Sequence, residues 1–200
     1  MTTRNGIVTG GILGGPPPEV ESIGCLETRS IALGIEAADF MVKAAEVELL
    51  VAMPTCPGKY LIVVAGAVAA VRASVEAGVA PAGDSLVDYT VIPSVHPQVL
   101  PALTAVSDPS ITGAVGVLET FSMCAAVRAA DEAVKTADVH LVEIRLGRGL
   151  AGKAFVVLTG EVAAVRAACQ SALLTIQDKA LVLAMTVIPS PHPALLEKIL

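Results

Sequence analysis

The sequence has almost no aromatic residues: among its 200 residues there are no tryptophans, two tyrosines and three phenylalanines. Proteins that bind single-stranded nucleic acid stack bases on aromatic side chains along a basic surface. This chain has 13 Lys and Arg residues against 19 Asp and Glu residues, which gives a net charge of -6. We therefore expect no nucleic-acid partner. Because 54% of the residues are hydrophobic, the core must be built from Ala, Val, Leu and Ile.

Long uninterrupted apolar segments are also absent. The longest, residues 60–71, ends at Arg72 and is well short of the roughly 18–20 residues that a membrane-spanning helix needs. The first residues, MTTRNGIVTGGILGG, are repeatedly broken by Gly, unlike the continuous apolar region of a signal peptide. We predict a cytoplasmic protein with no membrane partner. Its four cysteines are then expected to be reduced thiols or metal ligands rather than a disulfide framework.

Instead of such segments, the chain contains an internal repeat. SIGCLETRS at residues 22–30 returns as AVGVLETFS at residues 114–122, displaced by 92 positions. GKYLIVVAGAVAAVRA from Gly58 returns from Gly152 as GKAFVVLTGEVAAVRA, displaced by 94, and VIPSVHP from Val91 returns from Val187 as VIPSPHP, displaced by 96. A period this long indicates a duplicated domain rather than a solenoid with units of roughly 20–50 residues. We predict a flexible Gly/Pro-rich extension at residues 1–20 and two domains at residues 21–109 and 112–200.

Each copy has the same predicted order of secondary structure. In the first copy we expect strands at residues 23–28, 47–53, 59–65 and 86–93, helices at 31–45 and 67–78, and a short helix at 96–103. The packed face of the first helix is predicted from an apolar stripe, which consists of Ile31, Ile35, Ala38, Val42 and Ala45. The order β-α-β-β-α-β predicts the α/β class, as two tandem α+β sandwiches whose helices cover one face of each sheet.

One of the four cysteines differs from the others in its surroundings. Cys25 lies in a predicted strand, and Cys124 and Cys169 lie on Ala-rich helices, where small buried thiols are usual. Cys56 lies in the turn TCPGK, whose counterpart in the second copy, GRGLAGK, has Leu150 near that position. One thiol cannot hold a metal centre. A trimer with this loop at its three-fold axis would bring three thiolates together, and the alternative is an inert loop thiol.

The remaining polar repeats do not predict an active site. The sequence has no G-x-S-x-G, H-E-x-x-H or Walker motif. His96 and His192 follow the last strand of each copy without a motif-linked nucleophile or acid, which favours a helix-start or interface role over catalysis. Two Asp-x-x-x-Lys pairs have a spacing that supports a helix by about 0.2–0.5 kcal/mol each; they are Asp39 with Lys43, and Asp131 with Lys135. We predict that the protein is not an enzyme.

The repeated blocks, taken in order, resemble the bacterial microcompartment shell domain. They are I-G-x-L-E-T (V-G-x-L-E-T in the second copy), A-A-D-x-x-x-K, G-K, G-x-V-x-A-V and V-I-P-x-x-H-P, and they occur in both copies in unpermuted order over residues 21–200. The resemblance implies two tandem ferredoxin-like shell domains and a homotrimer that forms a pseudohexameric tile of a microcompartment shell. Within the family, the chain most resembles the iron–sulfur shell trimers of propanediol-utilisation microcompartments, whose central loop also has the sequence Cys-Pro-Gly-Lys.

The resemblance implies roles for two sets of residues. It implies one [4Fe-4S] cluster per trimer, ligated at the three-fold axis by Cys56 of each subunit. The other residues near the axis would line a pore: Thr55, Pro57, Gly58, Arg148, Gly149 and Leu150. Residues of the tile edge would contact other shell proteins: Lys43, Ser94, His96, Lys135, Ser190 and His192. The two serines stand where many shell domains have Arg, so weaker lateral packing is expected.

Two functions are compatible with such a tile. In the first, the cluster carries electrons across the shell, with an encapsulated redox enzyme as a further partner. In the second, the tile has no cluster and its loops form a central metabolite pore. A function of a different class is a soluble trimeric regulator of ferredoxin-like fold that binds a small ligand between subunits.

Overall fold

The computed structural model describes residues 20–104, 111–147, 149–176 and 181–199. The predicted extension at residues 1–20 lies almost wholly outside these ranges, as does most of the segment that separates the two domains. The domain limits at residues 109 and 112 therefore remain predictions.

The two copies fold into the same arrangement of strands and helices. The first contains β1 (Ser22–Thr28), α1 (Ile31–Ala44), β2 (Glu48–Thr55), β3 (Lys59–Gly66), α2 (Val68–Ala82), β4 (Leu86–Pro93) and α3 (Val99–Thr104). The second contains β5 (Ala114–Thr120), α4 (Met123–Thr136), β6 (Val139–Leu146), β7 (Ala154–Gly160), α5 (Val162–Ile176), β8 (Val182–Ile188) and α6 (Pro193–Ile199). The sheets are antiparallel, in the orders β2-β3-β1-β4 and β6-β7-β5-β8. The predicted β-α-β-β-α-β fold of each copy is confirmed.

Strand register makes the two domains equivalent residue by residue. Cys25 lies opposite Thr90 in the first sheet, and Val117 lies opposite Thr186 in the second. Residues of β1 and α1 thus correspond to residues 92 positions later, those of β3 to residues 94 later and those of β4 to residues 96 later. This correspondence allows the surroundings of each side chain to be compared between the two domains.

Helix α2 is longer than predicted because one of its glycines is a packing position. We expected the helix to end at Gly78, whereas it continues to Ala82. A Cβ at Gly78 would lie 2.6 Å from Met41 Cγ and 2.9 Å from Met41 Sδ. Glycine therefore allows α1 and α2 to pack closely, and it does not terminate the helix.

The predicted packed face of α1 is wrong at most of its positions. The buried residues of α1 are Gly34, Ala37, Ala38 and Met41. Ile31 and Ile35, which we placed in the core, are 41% and 54% exposed, and Val42 is exposed as well. Small residues face the sheet because the helix lies close to it, and the larger apolar side chains point away from their own domain.

Helix α4 has no such exposed face, because it packs against the first domain. It lies on the face of the first sheet opposite to α1 and α2, beside β1 and β4. Its residues Met123, Ala125 and Val127 are all 0% exposed and share one core cluster with Ile23 and Cys25 of β1. The two domains are thus joined by burying a helix of the second under the sheet of the first. Within the described ranges, no helix is long and apolar enough to cross a membrane.

Candidate functional site

Two loops meet at one end of the domain junction. The cysteine loop, residues 56–58, connects β2 to β3, and the glycine loop, residues 147–153, connects β6 to β7. A Cβ on Gly152 would lie 2.9 Å from Pro57 Cδ, and one on Gly147 would lie 2.8 Å from Thr55 Cβ. Both glycines also have positive φ, +82° and +66°, which favours glycine. The loops therefore contact each other closely, although they come from different domains.

The predicted pore residues lie in or next to these loops. Cys56, Pro57 and Gly58 are exposed, as is Gly149, whereas Leu150 is half-buried. Thr55 is buried at the end of β2, where its hydroxyl has no hydrogen-bond partner among the described residues. Arg148 lies outside the described residues.

Cys56 is chemically distinct from the other three thiols, as predicted. Cys25, Cys124 and Cys169 are buried. Burial raises the pKa of Cys124 well above its ordinary value and that of Cys169 to about 11, so both thiols stay protonated and inert. Cys56 is exposed. No group of three or more His, Cys, Asp or Glu side chains within the described residues could hold a metal ion.

An ion pair that sequence reasoning missed holds the two loops and the two domains together. Lys59 Nζ donates to Glu27 Oε1 (2.6 Å), and also to the carbonyl oxygens of Phe121 (2.8 Å) and Gly152 (2.8 Å) in the second domain. Glu27 Oε2 accepts the N–H of Met123, the first residue of α4, at 2.7 Å. We call Glu27 and Lys59 the inner latch. A carboxylate at a helix N-terminus also interacts favourably with the helix dipole.

A second polar contact of the junction is centred on Asp88 of β4. Ser122, the N-cap of α4, donates to Asp88 Oδ2 (3.0 Å), and its oxygen accepts the N–H of Ala125 (3.0 Å). Arg128 Nη2 lies 3.8 Å from the same carboxylate oxygen. The start of α4 is therefore fixed to the first sheet by Glu27 and by Asp88.

Burial makes the inner latch sensitive to pH. It raises the pKa of the Glu27 carboxyl, because the loss of hydration outweighs the attraction of Lys59 and the hydrogen bonds that the carboxylate accepts. The folded chain thus holds this proton more tightly than the unfolded chain. The stability that protonation contributes is fully present below the unfolded pKa, near 4.5, and is lost as pH rises through the folded pKa.

We therefore expect the free energy of unfolding of the wild type, measured relative to Glu27→Gln, to fall as pH rises from 4.5 to about 7.5. Glutamine keeps a hydrogen-bonding group at this position but does not ionise, so it serves as the reference. Urea unfolding followed by circular dichroism at a series of pH values measures the difference. A difference that does not change with pH would contradict this interpretation.

The second domain has an equivalent ion pair that is more exposed than the inner latch. Lys153 Nζ lies 2.6 Å from Glu119 Oε1, at positions equivalent to Lys59 and Glu27. The side chains of Lys153 and Glu119 are 35% and 32% exposed, against 16% and 0% for Lys59 and Glu27. We call Glu119 and Lys153 the outer latch. Its geometry is already formed, and among the residues that the structure describes no helix covers it as α4 covers the inner latch.

Three of the six predicted tile-edge residues, Ser94, His96 and Lys135, lie together at the domain junction. Lys135 Nζ donates to Asp131 Oδ2 (2.6 Å) and to the Pro93 carbonyl (3.3 Å), and Asp131 Oδ1 accepts the N–H of His96 (2.8 Å). Next to them, Ser94 is exposed with φ of +50°. The structure thus brings together residues that the sequence places in different copies.

The other three edge residues remain apart, because Lys43 lies in the first domain and Ser190 and His192 lie at the end of the second. Lys43 donates to Asp39 Oδ2 (2.6 Å), and within the described residues no hydrogen bond joins either of them to His192. Ser190 and His192 are exposed. His192 Nδ1 accepts the N–H of Ala194 (3.2 Å) and His96 Nδ1 that of Gln98 (3.3 Å), so both histidines make contacts near the start of a helix.

Comparison with known proteins gives consistent matches along the chain. The BMC domain family model matches residues 22–95 and 114–191. Bacterial microcompartment shell protein PduT of Citrobacter freundii is 42% identical over 175 residues, which covers 88% of this chain and 95% of that protein. Carboxysome assembly protein CcmO of Synechococcus elongatus is 29% identical over 198 residues, which covers 92% of this chain and 70% of that protein. The crystal structure of a microcompartment protein from Desulfitobacterium hafniense DCB is 48% identical, with a TM-score of 0.77 and coverage of 88% and 98%.

Proposed function

Because this chain belongs to the BMC domain family and carries two such domains in tandem, we propose that three copies close into a ring that forms one tile of a bacterial microcompartment shell. Its relatives include shell proteins of microcompartments and carboxysomes and a carboxysome assembly protein, which are structural proteins rather than enzymes. This kinship favours the shell tile over the soluble ligand-binding regulator. The tile would lie in the shell of a microcompartment in the cytoplasm.

The proposed ring rests on one observation, which is that equivalent helix faces of the two domains are unequally buried. Met123, Cys124 and Val127 of α4 are fully buried, and Cys124 Sγ lies 3.7 Å from the Asp88 carbonyl oxygen of the first sheet. Their equivalents in α1 are Ile31, Ala32 and Ile35, which are all exposed, Ile31 and Ile35 to 41% and 54%. Exposed apolar side chains that cluster on one face usually mark an interaction surface.

The complementary sheet face is uncovered at the other end of the chain. In the first sheet, Asp88 and Thr90 are buried beneath α4. The equivalent residues of β8, Ala184 and Thr186, are exposed. A chain with a free helix face at one end and a matching free sheet face at the other associates head to tail. If the junction inside the chain is repeated between chains, first and second domains alternate around a ring of three chains and six domains.

The ring would also bring together the tile-edge residues that remain apart in the single chain. Asp131 binds the His96 backbone within the chain, so Asp39 would bind the equivalent His192 of the partner subunit. Each of the six domain junctions would then carry an edge lysine, Lys43 or Lys135, for contact with neighbouring shell tiles.

We expect the purified protein to form extended two-dimensional sheets that are visible by negative-stain electron microscopy. Lys43→Ala combined with Lys135→Ala should abolish the sheets and leave the three-chain ring intact. The substitutions remove the edge ammonium groups and one bond per junction, that of Lys135 to the Pro93 carbonyl within the chain, while the buried helix faces and the latches remain. Arg166→Ala, on the exposed surface of α5, is the control for loss of a surface charge. Sheets that persist in the double variant would contradict the assignment of the edge.

We further propose that the ring binds one [4Fe-4S] cluster through Cys56 of each subunit. One chain offers a single exposed thiol, and such clusters need several thiolates. The chain therefore fits a cluster only when three-fold symmetry brings three Cys56 residues together. When bound, the cluster would supply a one-electron couple that passes electrons across the shell, with an encapsulated redox enzyme as the partner.

Within this proposal, the protein positions the thiolates and sets their surroundings. The contacts of Pro57 with Gly152, and the bond from Lys59 to the Gly152 carbonyl, hold the cysteine loop against the second domain. Colorimetric measurement of iron and sulfide per ring after anaerobic reconstitution tests the cluster. About four of each per ring are expected. A ring that binds no iron would instead favour the metabolite pore.

A further inference from the structure

We propose that the outer latch, Glu119 and Lys153, is the part of each subunit that seats the start of α1 and the cysteine loop of the partner subunit. The inference rests on the proposed ring and names the residues that position Cys56 within it. It follows from the inner latch, which performs the same task inside the chain for α4 and the glycine loop.

The inner latch makes three bonds to the second domain. Glu27 accepts from the Met123 N–H, and Lys59 donates to the carbonyls of Phe121 and Gly152. These groups are the first helical N–H and two nearby loop carbonyls. Glu27 and Lys59 therefore bind the start of α4 and the neighbouring glycine loop through backbone groups alone.

Each of these three groups has an equivalent in the first domain. Met123 corresponds to Ile31, Phe121 to Arg29, and Gly152 to Gly58. In the ring, Glu119 would accept the N–H of Ile31 of the partner subunit. Lys153 would donate to the carbonyls of Arg29 and Gly58 of the partner subunit. Gly58 lies two residues after Cys56, so this bond would fix the thiol loop directly.

The outer latch is prepared for this contact before any partner binds. Glu119 and Lys153 are already joined at 2.6 Å, and each is about one-third exposed, which leaves side-chain atoms accessible for further bonds. Glu119 and Lys153 are also retained in the repeat at the positions of Glu27 and Lys59, in the blocks L-E-T and G-K. A pair held in place beforehand loses little side-chain entropy when it binds.

The latch would be one of two charged contacts between subunits, beside the edge pair Asp39 and Lys43. Three other polar side chains of the internal junction have no counterpart there: Asp88 is replaced by Ala184, Arg128 by Glu36, and Gln98 by Ala194. Within the chain, Asp88 binds Ser122 (3.0 Å), and Gln98 Oε1 accepts the Leu141 N–H (2.8 Å). Between chains, the outer latch would therefore supply a larger share of the polar binding energy than the inner latch supplies within one chain.

Lys153→Met tests this inference through the oligomeric state. Loss of hydrogen bonds from a charged group should weaken association of the chains by roughly tenfold to a hundredfold per junction. Sedimentation velocity of fluorescently labelled protein over a dilution series measures the change. The circular dichroism spectrum should match that of the wild type, because Lys153 is partly exposed in the single chain. Glu119→Gln provides a second variant, with a smaller effect in the same direction.

Arg145→Met is the matched control, because it removes a cation from another ion pair, with Glu143, that belongs to neither latch nor to the tile edge. It should dissociate at the same concentration as the wild type. A wild type that forms no three-chain species would overturn the ring and the latch together. A wild-type ring that dissociates at the same concentration as both Lys153→Met and Glu119→Gln would overturn the latch and leave the ring standing.

Discussion

Replacing Lys59 with methionine is expected to lower the free energy of unfolding by about 3–5 kcal/mol, which is typical when one member of a buried ion pair is removed. Glu27 is 0% exposed, so its carboxylate would lose its charged partner without gaining water. The carbonyls of Phe121 and Gly152 would lose their donor at the same time. The effect is large because one ammonium group satisfies a carboxylate and two carbonyls at the domain junction.

The double variant Glu27→Gln/Lys59→Met tests this explanation. When the carboxylate is replaced as well, no uncompensated buried charge remains, so the double variant should be more stable than Lys59→Met alone. Lys43→Met removes a lysine from a well-exposed ion pair and should change stability by less than about 1 kcal/mol. Urea unfolding at equal chain concentration, followed by circular dichroism, measures all three variants. A loss below about 1 kcal/mol in Lys59→Met would contradict the role of the inner latch.

Replacing Cys56 with serine is expected to abolish iron binding. The iron content of the reconstituted protein should fall from about four per ring to less than one, and the visible absorption of the cluster should disappear with it. Serine keeps the size and the exposure of the side chain but does not supply a thiolate. The ring itself should persist, because Cys56 is exposed and, among the described residues, takes no part in the hydrogen bonds that join the two domains.

Cys169→Ala is the matched control for the loss of a thiol. Cys169 is buried on α5, and burial raises its pKa to about 11, so it is not available as a ligand. Iron content, absorption and the electron paramagnetic resonance signal of the reduced protein should all match those of the wild type. Iron retained by Cys56→Ser, or lost by Cys169→Ala, would contradict the proposed ligand.

Much of the fold could be predicted from the sequence because the repeat presents it twice. The strands followed from short apolar segments bounded by turn residues, and the first helix followed from the periodicity of its apolar residues. The exposure of Cys56 and the burial of the other three thiols also followed from their sequence context. In each case the neighbouring residues along the chain determine the result.

The packed face of α1 could not be predicted in the same way. Apolar periodicity indicates that a helix face is buried, but not which surface covers it. Ile31 and Ile35 form a regular stripe that is exposed in the single chain, while the smaller Gly34 and Ala37 lie against their own sheet. An interface between domains or chains produces the same sequence pattern as a core.

The two latches were missed for a related reason. Glu27 and Lys59 are 32 residues apart, and only the pairing of β1 with β3 brings them together. A signal was nevertheless present in the sequence. A glutamate and a lysine recur at the same positions of both copies, as Glu119 and Lys153, each beside an apolar strand segment. A charged residue that occurs at the same position of both copies, next to an apolar strand segment, indicates a buried ion pair or an interface contact.

The central claim is that the junction inside the chain is repeated between chains and closes after three. Native mass spectrometry of the anaerobically purified protein tests it most directly, since it counts chains and bound cofactor in one spectrum. We predict a species of three 20.3 kDa chains that keeps its mass as the protein is diluted, until the chains dissociate together. A monomer or a dimer as the largest species at micromolar concentration would contradict the account, because the exposed faces of α1 and β8 would then have no partner.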